Sequence, residues 1–189
     1  MKGKIFLMYI GVIALIIGCR SASVEKESLI VNLKNTSFNS DIITLKDTVI
    51  IFKYDTLKIN FYFDFPDTIG AFKPKCSIDS FCITFYKEKG GKIKFIRKDG
   101  SDSLDSLHFK TNIVILPRRW TEAKIDLVPS WLKAFYNPIY DMHKNDPYAS
   151  PNPLKTRAHY KIFAHEINTR RSFITEFDIS VIFANFADE

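Results

Sequence analysis

Catalytic signatures are missing from this 189-residue chain. It has no Gly-x-Ser-x-Gly elbow, no glycine loop to cradle a phosphate and no dinucleotide fingerprint. Histidine is scarce, at 4 residues, and cysteine scarcer, at 3. His165-Glu166 superficially starts a zinc-protease helix, but Thr169 stands where the second histidine belongs. His159 and His165 share one strand face about 20 Å apart, too far for one metal ion. The stretch from Asp99 to Asp105 offers oxygens for calcium, yet lacks the sixth-position glycine and the closing acid of a calcium loop. No metal and no cofactor is implied, and the chain reads as non-enzymatic. An internal repeat and a second long apolar run are also lacking.

The one apolar run is at the start. Lys2 and Lys4 precede residues 5–17, which are apolar but too few to span a bilayer, and Ile16-Ile17-Gly18-Cys19 ends the run. That tetrapeptide resembles the lipobox of bacterial lipoproteins: branched apolar residues, a small residue, then the cysteine that takes a diacylglycerol. The alternatives are an uncleaved helical anchor or an ordinary secretory signal that ends in cysteine. The resemblance covers about a tenth of the chain. It implies cleavage before Cys19 and acylation there, with Arg20 leaning toward the outer membrane; the side is left open. Each acyl CH2 withdrawn from water contributes roughly 0.8 kcal/mol, so the lipid holds a domain at a membrane without a spanning helix.

The expected organisation is a signal peptide over 1–18, a lipidated tether over 19–27 and one domain over 28–189. Removing residues 1–18 takes away two lysines and no acid, so the net charge falls from +6 to +4. A mildly basic, exported domain suits anionic headgroups, acidic glycans or an envelope protein rather than nucleic acid.

Alternation of period two dominates the rest. Leu57, Ile59, Phe61, Phe63 and Phe65 alternate with Lys58, Asn60 and Asp64, and Phe173, Phe177, Ile179, Val181 and Phe183 repeat the pattern. Shorter stretches of the same kind surround Ile83, Ile93, Leu107, Ile113, Ile125 and Ile162. Gly90-Gly91 predicts a two-residue hairpin with both glycines at positive φ, Asp99-Gly100 another turn, and residues 168–171 the last one. With about eight or nine strands, the fold class is all-β: an antiparallel β-sandwich of immunoglobulin-like or transthyretin-like type, with a closed barrel as the alternative.

One segment breaks the pattern. Residues 129–136 bring Val128, Trp131, Leu132 and Phe135 to one side at helical spacing and predict a short helix that stops at Asn137-Pro138. From there to residue 157 the chain carries four prolines and reads as a long loop. It is either a stiffened crossover packed by its tyrosines or part of a binding rim in which Trp120, Trp131, Tyr136, Tyr140 and Tyr148 present aromatic faces to a glycan or protein.

If Cys19 is lipidated, Cys76 and Cys82 remain. In an oxidising compartment the pair suggests a loop-closing disulfide, provided that residues 77–80 turn back; otherwise the two thiols are separate and reduced. Residues 87–98 carry Lys87, Lys89, Lys92, Lys94, Arg97 and Lys98 against Glu88. This hairpin is either a solvated face that guards a sheet edge or a surface lying on anionic lipid near the anchor. The functional expectation is a non-enzymatic cell-envelope lipoprotein that displays its sandwich for binding or a structural role. An inhibitor- or immunity-type lipoprotein that captures a protein partner is the alternative, and an enzyme without a recognisable motif comes third.

Overall fold

The computed structural model describes residues 28–46, 49–65, 73–145 and 153–185. Cys19, the signal, the tether and Tyr148 lie outside the described residues. The chain is mostly strand, as its alternation predicts.

Strands β1 (Ser28–Leu33), β5 (Asp55–Asp64) and β10 (Thr121–Val128) form one antiparallel sheet, ordered β1-β5-β10. The other sheet has the order β2-β13-β12-β6-β9, from β2 (Ser37–Asp41), β13 (Ser172–Ala184), β12 (Leu154–Glu166), β6 (Cys76–Lys87) and β9 (Leu107–Ile115). Its pairs are antiparallel except β13 with β2, which run parallel. That departs from the purely antiparallel expectation. Two small ladders complete the fold: β3 (Thr44–Lys46) with β4 (Val49–Ile51), and β11 (Tyr136–Asn137) with β7 (Phe95–Arg97) and β8 (Ser103–Leu104).

The two main sheets pack face to face because each offers one apolar face. Leu57, Ile59, Phe61 and Phe63 of β5 are buried, as are Ile179, Val181 and Phe183 of β13. The Phe63 and Phe173 rings meet across the gap at 5.5 Å. Tyr160 of β12 is fully buried, stacks on Phe177 at 4.7 Å, and donates its hydroxyl to the Asp126 carbonyl of the other sheet at 3.1 Å. Each large side chain withdrawn from water in this way contributes roughly 1.5–3 kcal/mol.

These contacts give the sandwich two distinct ends. At one, Ser28 pairs with Asp64, and Cys76 lies between Glu166 and Ile115. At the other, Asp55 pairs with Val128, and Lys87 pairs with Thr156. Ser40, near the end of β2, bonds to Asp55, which fixes how the ends of the two sheets correspond. The length of β5 separates these ends by about 33 Å, at roughly 3.3 Å per residue.

Several expectations need correction. The Gly90 hairpin is wider than a two-residue turn: Lys87 N–H donates to Gly91 O at 3.1 Å, and of the two glycines Gly90 has positive φ (147°). The helix near 129–136 exists as α1 (Ser130–Phe135), but it buries Leu132 and Lys133 while Trp131 and Phe135 face outward. Six residues are too few for a four-residue apolar face to decide the packing. Among the described residues of the expected loop from 137 to 157, α2 (Ile139–Asn145) follows the cis Asn137-Pro138 bond and β12 begins at Leu154, so both its ends are regular.

Candidate functional site

Helix α1 is held by an ion pair inside the protein. Lys133 is fully buried, and its ammonium lies 2.8 Å from Asp55 Oδ2. It also donates to the Asp41 carbonyl, while the Ser40 hydroxyl donates to the same Asp55 oxygen. Burial pushes the Asp55 carboxyl above its ordinary pKa and the Lys133 ammonium below its own, in each case against the attraction of the partner charge. The sequence reading missed this network. One signal was present: Asp55 has the same parity as Leu57 and Ile59, so the strand pattern points an acid inward.

With α1 fixed, its outward face and β4 border a shallow, open apolar groove of about 370 Å³, lined by Ile50, Ile51, Phe52, Ser130, Trp131 and Phe135, with Ala134. Trp131 is 41% exposed and Phe135 42%. Ile50 and Ile51 are exposed to a similar extent. The Lys98 ammonium stands 5.2 Å from the Phe135 ring centre and 4.8 Å from that of Tyr140, so the basic 87–98 hairpin borders the groove. A second, more polar depression of about 320 Å³ lies at the same end, between Lys87, Glu88, Arg157 and Asp178.

Of the five aromatics proposed as one rim, Tyr148 lies outside the described residues and the other four do not come together. Trp131 and Tyr136 are neighbours at 5.6 Å. Tyr136 is nearly buried, and its hydroxyl donates to Asp102 at 2.8 Å, the bond that chiefly raises its pKa. Tyr140 is half-buried beneath Lys98. Trp120 is 53% exposed but sits beside Tyr62, at the opposite end of the sandwich. The chain reverses these positions because β10 carries residues 121–128 the length of the sheet between Trp120 and α1.

Cys76 and Cys82 are both free thiols. Strand β6 runs through residues 77–80 without turning back, so the expected disulfide has no geometry in which to form. A bulge between Ile78 and Ser80 changes the parity of β6, leaving Cys76 buried and Cys82 partly exposed, 3.8 Å from His108. Burial, with help from Asp79 and Glu166, pushes the Cys76 thiol up to about 12.

The histidines on the outer face of the five-stranded sheet have separate carboxylates: His159 bonds to Asp178 at 2.8 Å, and His165 to Asp79 at 2.7 Å. Among the described residues no three His, Cys, Asp or Glu side chains gather as a metal site. No helix among them is long and apolar enough to cross a membrane.

No family model matches the chain, and no curated protein matches it. Among solved structures it is similar to the CooA pilin subunit from enterotoxigenic Escherichia coli, at 9% identity over 86% of this chain and 99% of that chain, with a TM-score of 0.29. A likeness of that size carries no argument about role.

Proposed function

We propose that this is a lipid-anchored, non-enzymatic envelope protein whose sandwich holds the groove between β4 and α1 away from the anchored end, where it takes an apolar side chain of a protein partner. The observation that carries the reading is the groove itself, walled by exposed Ile50, Ile51, Trp131 and Phe135 at the end opposite Ser28. Isolated exposed apolar residues are ordinary, but four around one concavity mark a contact surface.

A protein suits the lining better than a glycan does. Ser130 supplies the one polar side chain among the lining residues, whereas a sugar needs several donors and acceptors to replace its water. The adjoining Lys98 and the rest of the 87–98 hairpin favour a partner whose apolar anchor is flanked by acids. A central aromatic and a charged border are the usual makings of an energetic hot spot.

Two measurements test the two halves. A clickable fatty acid should label the protein in cells, and Cys19→Ser should abolish the label; label that persists in the variant removes the anchor. For the groove, a photo-crosslinker at position 135 should give one dominant protein adduct that Trp131→Ala and Ile51→Asp both eliminate. An adduct indifferent to both substitutions would show that the groove is not the contact.

A further inference from the structure

The end of the sandwich opposite the groove carries a second surface. Arg118 N–H bonds to Phe63 O, Ile167 N–H to Lys75 O, and Arg170 and Arg171 close the turn from β12 to β13. These backbone bonds bring Lys73, Lys75, Arg118, Arg119, Arg170 and Arg171 onto one rim, and all six are exposed. Trp120 stands on the same rim, with Leu116 and Ile167 each 39% exposed. Among the described residues the exposed acids near it are Asp64, Asp79 and Glu122; Asp79 already holds His165 and Glu122 holds Lys34. Glu166 is buried and accepts the Thr169 hydroxyl.

Ser28 joins the sandwich at this end, opposite Asp64. The nine residues from Cys19 to Ser28 reach at most about 30 Å, so a lipid on Cys19 keeps this rim near the bilayer. We infer that this rim is a lipid-facing surface that rests on the phosphate headgroups of the leaflet holding the anchor, with Trp120 at the interface. The inference rests on the lipid-anchor reading for its geometry. Arginines bind phosphate through a planar fork while their stems cover apolar surface, and tryptophan settles at the headgroup level. Of the two readings of the 87–98 hairpin, a solvated edge or a surface on lipid near the anchor, the second does not suit its place at the end away from Ser28.

The backbone adds a reason to single out the arginines. Arg118 (φ 49°) and Arg170 (φ 58°) are non-glycine residues in the left-handed region, where glycine or asparagine is more at ease. Arg170 closes the turn from β12 to β13 at the rim, whereas the Arg118 guanidinium donates to the Phe65 carbonyl at 2.9 Å and lies 4.8 Å from the Phe65 ring centre, so the forks offered to phosphate are those of Arg119 and Arg170.

The two tryptophans make the test, because one marks each end. Full-length lipidated protein retaining only Trp120 (Trp131→Phe) or only Trp131 (Trp120→Phe) is reconstituted in phosphatidylethanolamine vesicles containing brominated phosphatidylglycerol. Trp120 emission should be quenched and Trp131 emission should not. The quenching should vanish at high salt and with brominated phosphatidylcholine replacing the anionic lipid. Each basic side chain at an anionic surface favours docking about fivefold, so Arg119→Glu with Arg170→Glu should lower the docked-to-free ratio by a few hundredfold or so and abolish the quenching. Arg119→Gln with Arg170→Asn, milder for the fold, should weaken it, and Lys89→Glu with Lys94→Glu should not change it. Equal quenching of Trp131, or Trp120 quenching indifferent to both rim pairs, overturns the inference. Flotation at high salt separates the two readings. Protein that floats with Trp120 unquenched at low salt keeps the anchor and loses the docked rim, whereas protein quenched at low salt but lost from vesicles at high salt keeps the rim and loses the anchor.

Discussion

Replacing Lys133 by methionine removes the ammonium that Asp55 and the Asp41 carbonyl share, while leaving a side chain of similar length in the same space. Asp55 would then be a buried carboxylate with the Ser40 hydroxyl as its remaining partner among the bonds described. Removing one member of a buried pair costs about 3–5 kcal/mol, because the other charge stays in a poorly solvating site. For a domain of this size that is a fall in melting temperature on the order of 10 °C. The double substitution Lys133→Met with Asp55→Leu should recover most of the loss, since an apolar replacement of the whole pair leaves no charge stranded. The pH dependence separates this account from a simple attraction. Burial holds Asp55 above its ordinary value, so this group's contribution to stability falls as pH rises from about 3.8 through its folded pKa. Lys133 is held below its ordinary value, so its contribution rises with pH between its folded pKa and 10.5. Wild-type stability minus that of the double variant, measured by urea unfolding across pH, should therefore pass through a minimum between the ordinary values of the two groups, 3.8 and 10.5. A maximum there, or a single Lys133→Met variant as stable as wild type, would refute the reasoning.

Two other outcomes follow from local geometry. Arg170→Gly relieves a left-handed residue and should raise stability by about 1 kcal/mol in thermal unfolding, while weakening the lipid contact; a loss of stability would contradict the strain. Unreduced protein alkylated in denaturant should carry label on both Cys76 and Cys82, whereas alkylation of the folded protein should label Cys82 and spare the buried Cys76, whose thiol is pushed up to about 12; an intact mass two protons short would restore the disulfide.

The long strands were legible because their physics is local. In β5 every second residue from Leu57 to Phe63 is apolar, and one register alone buries Leu57, Ile59, Phe61 and Phe63 together. β6 was harder: its bulge between Ile78 and Ser80 is set by how β9 pairs with it, and nothing in the string Cys76-Ser77-Ile78-Asp79 announces the change of face. The disulfide expectation failed for a different reason: β6 stays extended through residues 77–80, which keeps Cys76 and Cys82 apart. The 137–157 stretch misled because prolines outweighed a helical signal, although Ile139 and Met142 are spaced to face the core, where Ile139 is fully buried and Met142 partly so.

The candidate surfaces were the least legible part, because a site defined by an end of the sandwich depends on strand direction rather than composition. Trp120 and Trp131 are eleven residues apart and looked like members of one rim. They are parted because β10 runs the length of β5 between them, so a feature before it and one after it cannot share an end. The same argument divides the basic residues: β6 carries the chain from Lys75 at one end to Lys87 at the other, and β12 brings it back to Arg170. Two cationic surfaces thus follow from one topology, one at the end where Ser28 joins the sheet and one beside the apolar groove. If Cys19 carries the proposed lipid, its short link to Ser28 holds the first surface nearer the bilayer and leaves the second to the proposed acidic partner.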